Sequence, residues 1–173
     1  MIVLRINQFL INHIRTDLTR PHSFAYERVG FLYLKQGAHD DGVLLIAAAY
    51  ETVPDDQYIN DHSVGARINS HAIRKAMQRI MDTGESAMHV HMHQHIGLPA
   101  FSSTDEEDLK HLIPSFQNVG INVAHGALVL SINGLTAIAW LPKYRMPFSI
   151  NRISVIGFPT IFYGGNICGR VSV

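Results

Sequence analysis

Residues 89–95 read HVHMHQH, so four histidines occupy every second position of one short segment. Successive side chains of a β-strand point to opposite faces of a sheet. The segment Ser86–His95 therefore predicts a strand with Met88, Val90 and Met92 on one face and the histidines on the other. Neighbouring imidazoles on that face lie about 6.6 Å apart along the chain, which allows their nitrogens to converge on one metal ion.

The rest of the chain predicts one α/β (α+β) domain over residues 1–173, with a mixed β-sheet flanked by helices. A chain of 173 residues is long enough to bury one hydrophobic core. Strand and helix signals alternate along it. The predicted elements are a strand and a short amphipathic helix at 1–18, strands at 27–37 and 42–54, a helix at 64–84 stopped by Gly84, the histidine strand, a helix from about 103 that Pro114 ends or kinks, two strands within 121–142 joined at Asn133-Gly134, and a partly stranded tail.

Composition excludes several classes of function. The 14 basic residues balance the 14 acidic ones without a dense Lys/Arg patch, so no nucleic-acid partner is expected. No apolar run approaches the roughly 20 residues of a membrane span, and the first residues lack the layout of a secretion signal. The single Cys168 cannot form an internal disulfide, which indicates a reducing compartment such as the cytoplasm. Any metal here must be held by nitrogen and oxygen.

A carboxylate follows the histidines at a position that suits a metal site. A catalytic zinc needs a third protein ligand and an open position for water. Asp105, on the first turn of the next predicted helix, can supply that ligand. Two neutral imidazoles and one carboxylate leave a bound Zn²⁺ with a net charge of about +1, enough to acidify a water towards a pKa of about 7. The alternative is a surface-exposed histidine ladder or an adventitious metal binder.

Three segments in this order resemble the motifs of the JAMM (MPN+) metalloproteases. That family has a glutamate at the start of an early strand, then His-x-His, seven residues and Ser-x-x-Asp. The matching segments are Glu27–Leu32, His93–His95 and Ser102–Asp105. The resemblance covers roughly Tyr26 to Asp108 and implies an MPN-like fold, a bound zinc ion and a compact, bacterial-type member of the family.

The chain departs from the family pattern at two points. Ile96 stands where the family usually has a proline after the second histidine. Six residues, rather than seven, separate His95 from Ser102. A loop that contains Gly97 and Pro99 can lose one residue without changing the elements on either side of it.

The departures leave the register of the ligands open. The pair His91 and His93 puts eight residues before Ser102, whereas Ser103 and Glu106 restore seven but replace the aspartate by glutamate. We prefer the pair whose preceding strand is longest. The predicted zinc ligands are His93, His95 and Asp105.

The resemblance also implies roles for two further residues. Glu27 would act as the general base, taking a proton from the attacking water and passing it to the leaving amine. Ser102 would donate a hydrogen bond to the oxyanion of the tetrahedral intermediate. The alternatives are a helix N-cap for Ser102 and an ordinary strand-end residue for Glu27, with Glu51 as a competing base. His89 and His91 would then orient the ligands or line the site.

The activity implied by the family is hydrolysis of the amide or isopeptide bond after the C-terminal glycine of a ubiquitin-like protein, in deconjugation or precursor processing. Activating and conjugating enzymes of the same pathway are the further expected partners. One alternative is a hydrolase that acts on adducts of a ubiquitin-like sulfur-carrier protein. Another is a metal-free MPN scaffold subunit, which would have no need to keep Glu27, the histidines and Asp105 together.

Overall fold

The computed structural model describes residues 1–39, 42–61, 63–157 and 159–163, and the backbone of 169–170; Cys168 lies outside this part of the chain. The strands within it are β1 (Ile2–Asn7), β2 (Val29–His39), β3 (Gly42–Thr52), β4 (Ser86–Met92), β5 (His125–Leu130), β6 (Leu135–Trp140), β7 (Phe148–Ser149), β8 (Arg152–Ile156), β9 (Ile161–Tyr163) and β10 (Gly169–Arg170). The helices are α1 (Gln8–Leu18), α2 (Ser70–Thr83), α3 (Ser103–Val119) and a 3-10 turn at Asp55–Gln57. None of the helices in the described ranges combines the length and the apolar character needed to cross a membrane.

The strands form one mixed sheet in the order β10-β9-β8-β1-β3-β2-β4-β5-β6-β7. Strand β1 runs parallel to β3 and β8, and β4 runs parallel to β5, whereas the other neighbours are antiparallel. The predicted class, α+β with a mixed sheet flanked by helices, is confirmed. The histidine strand β4 lies inside the sheet, between β2 and β5, so its backbone groups are paired on both sides.

Apolar side chains cover both faces of the sheet. Helix α1 packs on one face, where its buried residues meet Leu32 of β2 together with Met88 and Val90 of β4. Helices α2 and α3 pack on the other face, over Phe31 of β2 and Ala127 of β5. Since the even-numbered apolar residues of β4 face α1, its histidines lie on the side of α2 and α3. The alternation predicted for β4 is therefore confirmed up to Met92.

Helix α2 is shorter than the predicted helix 64–84. It begins at Ser70 because Asn69 caps it, accepting hydrogen bonds from two backbone N–H groups of the first turn. Ile68, which fits the helical spacing, lies instead in extended chain and forms an isolated antiparallel bridge. The predicted C-terminal stop is confirmed, since Gly84 has a φ of 67°, a left-handed conformation that glycine adopts without strain.

The sequence predicts that Pro114 ends or kinks helix α3. The helix continues through Pro114 to Val119, so the predicted end at this proline is wrong. A proline inside a helix leaves the carbonyl four residues earlier without its usual partner. Here both Pro114 and Lys110 are exposed, so water can solvate that carbonyl. The buried stripe of Leu109, Ile113 and Phe116 packs on the sheet and holds the helix together across the break.

The strands β5 and β6 form the hairpin predicted at Asn133-Gly134. Its turn is closed by a hydrogen bond of 2.8 Å from the Gly134 N–H to Ser131 Oγ. The side chain of Asn133 also accepts a hydrogen bond of 2.7 Å from the Gly97 N–H. The hairpin turn therefore anchors the loop that follows the histidine strand.

Ile80 should contribute strongly to stability because it is fully buried between α2 and the sheet. We expect Ile80→Ala to lower the free energy of unfolding by about 2–5 kcal/mol, from lost burial and the cavity left behind. Met81, its neighbour, is exposed, and Met81→Ala should change stability by less than about 0.5 kcal/mol. Urea denaturation of both variants measures the difference; equal losses would contradict the described packing of α2.

Candidate metal site

The pairing of β2 with β4 brings a carboxylate to the histidines. In this antiparallel pair Val29 lies opposite His91. The ladder ends at this pair, and Glu27 and His93 lie two residues beyond it, outside the two strands. The carboxylate Oε1 of Glu27 lies 3.8 Å from Nε2 of His93. Residues separated by more than 60 positions in the sequence therefore meet because they follow the last pair of this ladder.

The backbone of Glu27 is held by a single glycine. The carbonyl of Gly65 accepts hydrogen bonds from the N–H groups of Tyr26 and Glu27, at 2.9 and 2.8 Å. A Cβ at position 65 would lie 2.9 Å from Oε2 of Glu27, closer than such contacts normally occur. The absence of a side chain at Gly65 thus leaves the space that the Glu27 carboxylate occupies.

The neighbouring residue Arg28 anchors the same segment in the interior. Its guanidinium is 1% exposed and donates hydrogen bonds to the carbonyls of Arg20 and Pro21, at 3.0 and 3.2 Å. It also forms an ion pair of 2.7 Å with Asp55. Because a buried charge without partners is costly, these contacts fix Arg28 and, through it, the position of Glu27.

Two imidazoles and the carboxylate of Asp105 converge beside Glu27. The Nε2 atom of His91 lies 3.3 Å from Oδ1 of Asp105, and the Nε2 atom of His93 lies 3.7 Å from Oδ2. Ligand atoms about 2.0–2.1 Å from a tetrahedral zinc ion are about 3.3 Å from each other. The observed separations are therefore close to those of ligands that share one ion.

The buried ring of His91 is the clearest sign that the cluster could hold a ligand. Its side chain is 2% exposed; among the described residues Nδ1 has no hydrogen-bond partner, and Nε2 has only the contact of 3.3 Å with Oδ1 of Asp105, which lacks hydrogen-bond geometry. Buried polar atoms are normally paired, because an unpaired one loses its interaction with water without compensation. A metal ion between His91, His93 and Asp105 would satisfy the Nε2 atom.

Asp105 is oriented by the start of helix α3. Ser102 is the N-cap, and its hydroxyl and N–H donate hydrogen bonds of 2.7 and 2.6 Å to Oδ2 of Asp105. The Asp105 N–H in turn donates to Ser102 Oγ, which completes a capping box. Burial alone would raise the pKa of the Asp105 carboxyl, but the His91 imidazole and Ser102 hold it well below its ordinary value. The carboxylate is thus fixed and ionised, as a metal ligand must be.

The structure does not bring His95, one of the predicted zinc ligands, into this cluster. Strand β4 ends at Met92, and the His95 N–H donates to the carbonyl of His93 in a turn. The His95 side chain is exposed, with Nδ1 3.0 Å from the carbonyl oxygen of Ile96. The convergent pair is His91 and His93, the register that the sequence left as an alternative. The sequence contains one sign that the strand ends before His95. Gln94 stands where the alternation would need an apolar residue, so the apolar face ends at Met92.

The other predicted residues fall as follows. Glu27, His93 and Asp105 come together, whereas the competing Glu51 lies elsewhere, beside Lys75 and the Tyr33 hydroxyl. Ser102 lies next to Asp105 as the helix N-cap.

The Glu27 carboxyl has the electrostatic character of a base. Burial raises its pKa above the ordinary value, and the imidazoles of His91 and His93 lower it only in part. A raised pKa means that the carboxylate holds a transferred proton more strongly. A partly buried glutamate next to two imidazoles can therefore act on a proton released in the cluster.

The cluster as a whole could hold a metal ion. The ligand atoms of Glu27, His91 and His93 all lie within 4.8 Å of one another. With the adjacent Asp105, the donors are imidazole nitrogens and carboxylate oxygens, a set that zinc accepts in catalytic sites. The arrangement leaves Glu27 at the edge of the cluster, as a ligand or as a base.

The geometry places His91, rather than His95, in the cluster that could hold a metal ion. We expect His91→Ala to abolish stoichiometric zinc binding, because it removes a donor from the cluster, whereas His95→Ala should retain it. Isothermal titration calorimetry and metal analysis of protein purified without a histidine tag measure both. Loss of zinc in His95→Ala with retention in His91→Ala would restore the register predicted from the sequence.

Gly65 is expected to control the position of Glu27. The methyl group of Gly65→Ala would contact the Glu27 carboxylate and displace it from His93. A crystal structure of the variant should show the carboxylate moved, while zinc binding through His91, His93 and Asp105 is retained. Gly37→Ala is a matched control, since nothing lies within 4 Å of its added Cβ. An unmoved Glu27 in the Gly65 variant would refute this positioning role.

Comparison with known proteins adds no assignment. No protein-family model matches this sequence, and no curated protein is significantly similar to it.

Proposed function

We propose that this protein is a zinc-dependent hydrolase that cleaves the amide or isopeptide bond after the C-terminal glycine of a ubiquitin-like protein. The proposal uses His91, His93 and Asp105 as the zinc ligands and Glu27 as the general base. Its reaction class comes from the cluster, and its substrate comes from the motif resemblance to the JAMM metalloproteases.

The observation that carries the proposal is the position of the Glu27 carboxylate. It lies on the same face of the sheet as the histidines, 3.8 Å from His93, although nothing in the local sequence requires this. As a fourth ligand Glu27 would close the coordination of the ion, as in a structural site, whereas as a base beside three ligands it leaves a position for water. We take Glu27 as the base, because its carboxylate is partly buried at the edge of the cluster, and this role favours hydrolysis over metal storage or a metal-free scaffold.

The residues of the chain divide the work of such a reaction. His91, His93 and Asp105 would hold the zinc ion, which would supply Lewis acidity to the scissile carbonyl and to a water. Glu27 accepts the proton of that water as it attacks and transfers the proton to the leaving amine. The fixed backbone of Glu27, held by Gly65 and Arg28, keeps the carboxylate within reach for both transfers.

Ser102 acts on Asp105 in the resting geometry. A hydroxyl has one proton, and in this structure Ser102 donates it to the Asp105 carboxylate. In our proposal Ser102 therefore holds the ligand in place. The oxyanion contact predicted for Ser102 requires the hydroxyl to leave Asp105 when substrate binds.

The base is tested by Glu27→Gln, which removes the proton acceptor and keeps the shape of the side chain. We expect zinc binding and fold to be retained and kcat to fall by about 10²–10⁴-fold. Cleavage of a fusion whose ubiquitin-like part ends in glycine, followed by mass spectrometry, measures the loss.

The matched control is Glu51→Gln, because Glu51 lies outside the cluster and should leave cleavage unchanged. Wild-type rates in Glu27→Gln would exclude Glu27 as the base. Absence of any cleavage by the zinc-loaded wild type, on amide, isopeptide and sulfur-carrier substrates alike, would refute the hydrolase itself.

A further inference from the structure

A cavity opens on the cluster and continues beneath the helices. It has a volume of about 280 Å³ and lies between β4 and the helices α2 and α3. Glu27, His91 and Asp105 border one end of it, and His89 lies further along the same strand. The cavity therefore connects the candidate zinc ligands with the interior of the layer formed by α2 and α3.

The inner wall of the cavity is apolar. It is formed by Val29, Ile68, Ile73, Leu109 and Leu112. Protein interiors are packed as densely as organic crystals, and apolar side chains on either side of a gap lose the van der Waals contacts that they would otherwise make. A cavity of this size is close to the lower limit of small-molecule sites, which are mostly apolar with a few polar groups at one end. Its shape and lining fit a ligand group better than a packing defect.

At the mouth of the cavity the carboxylates of Glu27 and Asp105 belong to the metal cluster, and beyond them the lining offers no buried charged partner for a ligand. Arg67, Asp108 and His111 are exposed, and Arg67 is paired with Asp61. A charged group would lose its hydration on entering the apolar part of the cavity, whereas a hydrocarbon group would gain from the transfer.

We propose that this cavity is the specificity subsite of the enzyme and takes a large aliphatic or aromatic side chain next to the bond that is cleaved. This inference rests on the proposed function, because it takes the cluster at the mouth of the cavity as the place where the substrate bond is cleaved. The part of the substrate before the cleaved bond ends in glycine, which has no side chain. The cavity therefore holds the side chain of the residue that follows the cleaved bond.

Binding can be tested apart from catalysis. The probes are N-acetyl-leucine amide, N-acetyl-phenylalanine amide and N-acetyl-glycine amide, titrated into metal-free and zinc-loaded protein and followed by two-dimensional NMR. We expect the leucine or phenylalanine amide to shift resonances of Val29, Leu109 and Leu112, and to bind about tenfold or more tightly than the glycine amide. Equal binding of all three amides would overturn the proposal.

A variant that fills the cavity provides the second arm. Ala66 lines the cavity, and Ala66→Leu adds hydrocarbon to its interior. It should weaken binding of the leucine amide by about tenfold or more, whereas the matched Ala38→Leu, at an exposed position of β2, should not. If Ala66→Leu does not fold, Leu112→Trp fills the same space from helix α3. Unchanged binding in a folded cavity-filling variant overturns the proposal.

Hydrolysis of two fusions separates this inference from the proposed function. The fusions carry either leucine or glycine directly after the cleaved bond. Preference for leucine in the wild type, lost in Ala66→Leu, supports both proposals. Cleavage without preference refutes the subsite alone, whereas selective binding of the leucine amide by a protein that cleaves nothing refutes the hydrolase and keeps the subsite.

Discussion

The antiparallel register between β2 and β4 is the constraint on which the candidate site depends. Val29 opposite His91 fixes which residue reaches His93, and it fixes the face on which all of them lie. A slip of one residue would turn the histidines towards α1 and leave Glu27 on the other side. The register is itself set by burial, because Leu32, Met88 and Val90 must face the α1 layer. Apolar packing on one face of the sheet thus determines the chemistry on the opposite face.

The polar cluster exists at a point where an apolar layer ends. Its side chains interrupt the packing of α2 and α3 on the sheet, and the two carboxylates are held by contacts outside the cluster. Gly65 and Arg28 hold the segment of Glu27, and Ser102 holds Asp105. His91 differs, since its ring is buried, its Nδ1 has no hydrogen-bond partner among the described residues and its Nε2 approaches only Asp105. A buried ring with so few partners costs free energy, and a metal ion at the cluster would offset part of that cost.

Local patterns in the sequence predict much of this arrangement, and long-range contacts account for the rest. The alternation of apolar residues and histidines predicts β4 and its histidine face. Gly84 predicts the end of α2, and Asn133-Gly134 predicts the hairpin of β5 and β6. His95 lies outside the cluster because the chain leaves the strand after Met92, in a turn secured by contacts with the distant β5–β6 hairpin. The start of α2 was misplaced because Ile68 fits helical spacing, whereas Asn69 decides the boundary by capping. The cavity has no signal in the sequence, since it depends on the distance between helices and sheet.

The two apolar layers described for the sheet bear on any metal ion that the cluster could hold. Buried apolar side chains pack on one another on each face of the sheet. Small zinc domains, by contrast, unfold when the metal leaves. A fold stabilised by this apolar packing would stay folded with or without the zinc ion that we propose, so occupancy would follow the free metal concentration of the surroundings. The proposed hydrolase would then gain or lose activity with the supply of metal, with no refolding step between the two forms.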